Sequence, residues 1–170
     1  MAKKVKLGNV YAIPLPNGKF AFGRVMEDGA LSIYNGIYDS ISDFNSEAGC
    51  FRVLSVYKNY LTDGKWPYIC NIPFSSSEEA FPPPSVNIDI ITGEFRIYDP
   101  VMAAFKELST QEEYEECLKL EVLAVWSRNH IEDMLMGNSI WDDIVWGLPR
   151  IDFRNRENWY INKKHESTQP

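Results

Sequence analysis

The chain has 170 residues, enough for about one domain with a sizeable core, and its hydrophobic content of 45% argues against disorder. Its net charge of −7 is spread unevenly, since residues 78–143 hold 15 acidic and only 4 basic side chains. An acidic segment repels the phosphates of nucleic acid and attracts basic surfaces, so we do not expect a nucleic-acid-binding protein.

The cysteines and the apolar runs narrow the class of protein further. Cys50, Cys70 and Cys117 show no CxxC spacing, which indicates neither a disulfide framework nor a zinc site. The basic residues near the start are not followed by the apolar segment of a signal peptide. The longest strongly apolar run, residues 122–126, is far shorter than the roughly 20 residues of a membrane-spanning helix. We therefore expect a soluble cytoplasmic protein that uses no cofactor, metal or membrane.

The first predicted element is a β-hairpin formed by residues 9–15 and 19–25. A two-residue Asn-Gly turn would place prolines where a backbone N–H must donate, so a three-residue loop is favoured. Pro16 and Asn17 then form a type I turn, and Gly18 takes the left-handed position of a bulge. The predicted register pairs Leu15 with Lys19, Pro14 with Phe20, Ala12 with Phe22 and Tyr11 with Gly23.

More strands are predicted by alternating or β-branched sequence at residues 30–34, 51–57 and 66–72. We expect the last two to form an antiparallel pair. The segment 75–85, rich in serine and proline, cannot continue a sheet and predicts a long surface loop. A second hairpin follows, with strands at 86–90 and 94–98 around Thr92-Gly93, and Asp99-Pro100 is expected to end it.

Helices are predicted only in the C-terminal half. Ser109 with Glu112, or Thr110 with Glu113, forms a capping-box pattern for a helix that runs to about residue 119. Residues 122–126 could extend this helix or form a buried strand, and their β-branched content favours the strand. Ser127 is a suitable N-cap for a second helix ending at a glycine, residue 137.

These elements predict a β-rich α+β fold. We expect an antiparallel twisted sheet or partly open barrel of about seven to eight strands built from hairpins, with one or two short helices. Residues 1–162 are expected to form one domain with the loop at 75–85, because the parts before Pro82 and after Pro84 would each be marginal alone. Residues 163–170 are polar and are expected to fray.

Catalytic patterns are scarce in the sequence. His130 and Asp133 are neighbours at i, i+3 on a predicted helix, but one histidine and one carboxylate do not make a site. HExxH, GxSxG and P-loop motifs are absent, and acidic neighbours should raise the pKa of Cys117 and lower its reactivity. We do not expect an enzyme, although a hydrolase with dispersed carboxylates stays open as an alternative.

The sequence from Gly8 to Val25, GNVYAIPLPNGKFAFGRV, resembles the start of the bacterial immunity protein 26 family, whose members are predicted antidotes to polymorphic toxins. The resemblance recurs more weakly in LEVLAVWS, residues 120–127, followed by RNHIEDML. It implies a β-rich fold and the role of an inhibitor, with no catalytic residues to carry over. A protein-binding adaptor outside toxin systems is the main alternative.

The resemblance also implies a cognate toxin as the partner, and the charge distribution suggests a basic one, for example a nuclease. Candidate contact residues fall in two acidic segments, where carboxylates could meet basic groups and a tryptophan could anchor the interface. They are Glu112, Glu113, Glu115, Glu116, Glu121, Trp141, Asp142 and Asp143. The alternative for the glutamates is a solvated, well-capped helix, and the alternative for Trp141 is burial in an aromatic core.

Overall fold

The computed structural model describes residues 5–88, 95–138 and 140. These residues form ten strands in two sheets and two α-helices, which confirms the β-rich α+β class. The strands are β1 (Asn9–Pro14), β2 (Phe20–Val25), β3 (Ala30–Tyr34), β4 (Cys50–Val56), β5 (Tyr68–Asn71), β6 (Ser85–Ile88), β7 (Phe95–Asp99), β8 (Ala104–Glu107), β9 (Glu121–Val122) and β10 (Val125–Trp126). The helices are α1 (Gln111–Cys117) and α2 (Arg128–Leu135), with short 3₁₀ turns at Ile41–Asp43 and Lys58–Leu61.

The first hairpin has the predicted three-residue loop. The Leu15 N–H donates to the Lys19 carbonyl at 2.8 Å, and Gly18 adopts a left-handed φ of 80°. The predicted cross-strand pairs are confirmed, including Tyr11 with Gly23. A Cβ on Gly23 would lie 2.5 Å from Cδ2 of Leu31, so the glycine lets β3 pack closely.

The six-stranded sheet has the order β10-β4-β3-β2-β1-β5. The predicted antiparallel pairing of residues 51–57 with 66–72 is therefore wrong, because β4 and β5 lie towards opposite edges of this sheet. β4 pairs with β3 and β10, and β5 pairs with β1. The connection between β4 and β5 buries Leu61 and Trp66 in the core, and this burial carries the chain across the sheet to the far edge.

The four-stranded sheet has the order β8-β7-β6-β9. It confirms the second hairpin, since β6 and β7 are antiparallel with Val86 opposite Ile97, while its turn at Thr92-Gly93 falls outside the described residues. The hairpin ends at Asp99, as predicted, and the chain then turns back to form β8, which the sequence did not predict. Asp99 Oδ1 accepts the N–H groups of Val101 and Met102, at 2.9 and 3.2 Å, and closes that turn.

Residues 120–127 connect the two sheets. The strand predicted at 122–126 is two strands of two residues, and each belongs to a different sheet. β9 pairs in parallel with β6 of the small sheet, and β10 pairs in parallel with β4 of the large sheet. Both sheets are otherwise antiparallel.

Both predicted helices form where the local sequence places them. Thr110 and Glu113 make the capping box of α1, which ends at Cys117, two residues before the expected end. Ser127 is the N-cap residue of α2, but its hydroxyl contacts the Asn129 side chain and caps no backbone N–H. At the other end, Gly137 has a φ of 86°, and its N–H donates to the Met134 carbonyl.

Three apolar clusters surround the sheets. The largest packs one face of the large sheet against α2 through Ile131 and Met134. A smaller cluster around Phe22 covers part of the opposite face, and a third packs α1 on the small sheet through Tyr114 and Cys117. Along the described ranges, no helix is long and apolar enough to cross a membrane. The single domain over residues 1–162 and the frayed tail at 163–170 remain predictions.

Candidate functional site

The outer face of α1 carries three of the predicted contact residues. Glu112, Glu115 and Glu116 are exposed, while Tyr114 and Cys117 on the opposite face are fully buried. The spacing of i, i+3 and i+4 places the three glutamates on one side of the helix. Their described contacts are local and exposed to solvent, since Gln111 donates to Glu115 at 3.2 Å and Lys119 pairs with Glu116 at 2.6 Å. The helix therefore presents an acidic surface, which we call the α1 acidic face.

Glu113 has a different position, at the first turn of α1. Its carboxylate accepts the N–H groups of Ser109 and Thr110 and pairs with Lys106 at 2.5 Å. The Lys106 ammonium, together with the Ser109 hydrogen bonds, lowers the pKa of Glu113 to about 2. These interactions fix the start of the helix and attach it to β8, so Glu113 has an evident structural role.

Glu121 lies in β9 and is also engaged inside the protein. Both of its carboxylate oxygens accept hydrogen bonds from the Arg52 guanidinium of β4. The two side chains are 24% and 17% exposed, so the ion pair is largely shielded from water. The same guanidinium lies over the Trp126 ring, 5.1 Å from its centroid. Arg52 and Glu121 thus join the large sheet to the small one.

The β7–β8 hairpin, residues 95–107, lies beside the N-terminus of α1 because Lys106 pairs with Glu113. It exposes Val101, Met102 and Phe105 to solvent, at 57%, 72% and 49% of their surfaces. The sequence did not predict this feature, because no strand was expected after Asp99-Pro100. The apolar residues soon after Pro100 are compatible with a further strand, but they do not alternate with polar residues in the way that would predict one.

The remaining predicted contact residues, Trp141, Asp142 and Asp143, lie outside the described residues. The structure therefore brings Glu112, Glu115 and Glu116 together on one face and separates them from Glu113 and Glu121. Contact of these eight residues with a partner is still a prediction.

The groups considered as catalytic, Cys117, His130 and Asp133, all lie in the described part of the chain. There, no group of three or more histidine, cysteine or acidic side chains could hold a metal ion. Burial raises the pKa of the Cys117 thiol to about 12, so the thiolate is scarce at neutral pH. The direction agrees with the sequence prediction, but the cause is burial, not the acidic neighbours. His130 and Asp133 both lie on α2.

A cavity between the two sheets has two acidic residues, Asp28 and Glu121, in its lining. Its volume of about 30 Å³ has space for only a few water molecules. Each carboxylate also has a partner, since Glu121 binds Arg52 and Asp28 accepts a hydrogen bond from the Tyr98 hydroxyl, which raises the pKa of Tyr98. Both carboxylates of this cavity are therefore engaged within the protein.

Comparison with known proteins identifies the family. The family model described as Immunity protein 26 matches residues 6–96, more than half of the chain. The chain belongs to this family of immunity proteins, as the resemblance in the first hairpin predicted. No curated protein and no solved structure matches the chain.

The match covers β1 to β6 and the start of β7. The α1 acidic face and β8 lie beyond it, as does the weaker resemblance at residues 120–127. An immunity protein acts by binding a cognate toxin, so membership of the family implies a protein partner.

Proposed function

We propose that this protein binds one cognate toxin domain in the bacterial cytoplasm and neutralises it by stoichiometric inhibition. The observation that carries the proposal is membership of the immunity protein 26 family over residues 6–96. Binding is the whole mechanism, and the protein performs no chemistry on the toxin. The bound protein covers the active site of the toxin or blocks the approach of its substrate.

The proposed toxin is basic, and a nuclease is the class that best fits the charge of this chain. The α1 acidic face places Glu112, Glu115 and Glu116 within two turns of one helix, all exposed. A nuclease binds phosphates through lysine and arginine side chains, and a row of carboxylates can occupy the same positions. The acidic face also raises the rate of encounter with a basic surface.

The predicted contact residues divide into two groups under this proposal. Glu112, Glu115 and Glu116 meet the toxin directly, and Trp141, Asp142 and Asp143 are kept as proposed contacts. Glu113 and Glu121 act through the fold, because one caps α1 and the other pairs with Arg52. Substituting them is expected to change stability before it changes affinity.

The test is co-expression with toxin domains encoded beside this gene, followed by binding measurements with purified proteins. A triple variant, E112Q/E115Q/E116Q, removes three charges from the α1 acidic face. Its matched control, D39N/E47Q/E78Q, removes three exposed charges elsewhere and gives the same net charge. We expect the first variant to lower the association rate about tenfold at low salt, with the difference shrinking at high salt.

The control variant should associate at nearly the wild-type rate. Equal effects of the two triple variants would mean that only net charge matters, and would remove the α1 acidic face from the proposal. Failure of the wild-type protein to bind or protect against every neighbouring toxin candidate would refute the antidote function itself.

A further inference from the structure

The strand β8 ends the four-stranded sheet and leaves one of its edges open in the part of the chain that the structure describes. The sheet order is β8-β7-β6-β9, and β8 pairs only with β7 there. All four residues of β8 are exposed. Alternate backbone N–H and C=O groups of an edge strand point away from the sheet, where another strand can pair with them.

Natural proteins commonly protect such edges with lysine or proline, or by covering them. The lysine of β8 does not serve this purpose, because Lys106 is held by Glu113 at 2.5 Å on the side of the sheet that faces α1. The other three residues of β8 are Ala104, Phe105 and Glu107. Within the described ranges, no strand pairs with this side of β8.

Apolar side chains accompany this open edge. Met102 and Val101, in the turn before β8, are 72% and 57% exposed, and Phe105 within the strand is 49% exposed. Phe105 is also held in place, since its ring lies 5.1 Å from that of Tyr98 and the Arg96 guanidinium lies over it at 5.3 Å. An exposed aromatic side chain that is already ordered loses little conformational entropy on binding, which favours an anchor residue.

The charge around this edge selects one kind of occupant. Glu107 is 74% exposed at the end of β8, and the α1 acidic face follows a few residues later. Between residues 95 and 121 the chain has 7 acidic and 3 basic side chains. Lys106, Arg96 and Lys119 each lie within 4.0 Å of a glutamate, and Glu121 pairs with Arg52 from outside this range, so three acidic side chains remain in excess. A second copy of this chain would bring like charges together, whereas a basic segment would be attracted.

We propose that the toxin adds an extended basic segment to the open edge of β8, with Met102 and Phe105 as apolar anchors. Phe105 points to the face of the sheet opposite α1, because its strand neighbour Lys106 pairs with Glu113, so the added segment would meet Phe105 on one face of the sheet and α1 with its acidic face on the other. This inference rests on the proposed antidote function and names the surface and the binding mode. Backbone pairing supplies affinity that depends little on side chains, and the anchors and charges supply selectivity.

The experiment uses the full-length protein and an inactivated toxin domain from the neighbouring gene as the probe. Hydrogen exchange of the complex is expected to show slowed exchange at backbone amides of residues 104–107. Met102→Lys and Phe105→Lys are expected to weaken binding by at least about tenfold, because each places a cation against a basic partner. Phe51→Lys is the matched control, since Phe51 is also 49% exposed and lies on a strand of the large sheet.

Thermal unfolding first checks that each variant is as stable as the wild-type protein. Phe105→Leu should keep most of the wild-type affinity, because leucine leaves the anchor apolar. Unchanged amide exchange at residues 104–107 in a complex that forms would overturn the inference while leaving the antidote function intact. Protection of β8 in the free protein, together with dimers that Met102→Lys dissociates, would identify a second copy as the occupant and would overturn it as well. Absence of any wild-type complex would instead count against the proposed function.

Discussion

The ion pair between Arg52 and Glu121 allows a sharp test of what Glu121 does. Breaking a fully buried ion pair costs roughly 3–5 kcal/mol, and an exposed pair contributes about 0–1 kcal/mol. Because the two side chains are 17% and 24% exposed, the pair lies between these limits. We expect Glu121→Ala to lower the free energy of unfolding by about 2 kcal/mol.

Urea denaturation measures this change directly, and the unfolding midpoint on heating should fall by about 4–8 °C for a chain of this size. Glu115→Ala is the matched control, since Glu115 is exposed and its described hydrogen bond is with Gln111. Its effect should stay within about 0.5 kcal/mol. A double-mutant cycle with Arg52→Met should give a coupling energy of more than about 1 kcal/mol, because the two residues share hydrogen bonds.

Two results would refute this reasoning. A loss below about 0.5 kcal/mol on Glu121→Ala would show that solvent or other groups replace the ion pair at little cost. A variant of unchanged stability that no longer protects against the toxin would restore Glu121 to the contact surface, as the sequence alone suggested.

Three further predictions concern other parts of the fold. The pKa of Glu113 in the folded protein is lowered from 4.5 to about 2, so its contribution to stability is present above pH 4.5 and is lost as the pH falls towards 2. Glu113→Gln should make the free energy of unfolding less dependent on pH over that range, which urea unfolding at each pH would measure. Gly23→Ala places a methyl group 2.5 Å from a buried leucine and should destabilise by about 1–3 kcal/mol in urea, whereas Gly49→Ala, with open space around it, should not. A thiol reagent should modify the exposed Cys50 quickly and the buried Cys117 only after unfolding, as mass spectrometry of the labelled protein would show.

The parts of the fold that could be predicted from the sequence are those that local chemistry decides. In the first hairpin, the positions of prolines and a glycine exclude the shorter turn, and the register follows from the loop. The capping box of α1 is equally local, because Thr110 and Glu113 are three residues apart. In both cases the interacting groups are close in the chain, so one sequence contains all the information that the prediction needs.

Strand pairing could not be predicted in the same way. Alternation marks residues 51–57 and 66–72 as strands, but it does not say which neighbours they take. Their true partners, β3 with β10 for one and β1 for the other, depend on how Leu61 and Trp66 fill the core between them. The division of residues 121–126 between two sheets is also non-local, since each two-residue strand is defined by a partner more than 30 residues away.

The same distinction applies to the candidate site. The acidic residues from Glu112 to Glu121 are one charged run in the sequence, yet their roles depend on partners that the run does not contain. Glu121 has a structural role because it pairs with Arg52, which is 69 residues away in the sequence. Glu113 has one because it pairs with Lys106 and caps the start of α1. Without these two, Glu112, Glu115 and Glu116 remain on one exposed face of α1, so the structure narrows the charged segment to a surface of definite position. A toxin that binds this surface must contact both α1 and β8, which are joined by the ion pair between Lys106 and Glu113. Glu113→Gln should therefore also weaken toxin binding indirectly, and less than the Met102→Lys variant that meets the partner itself.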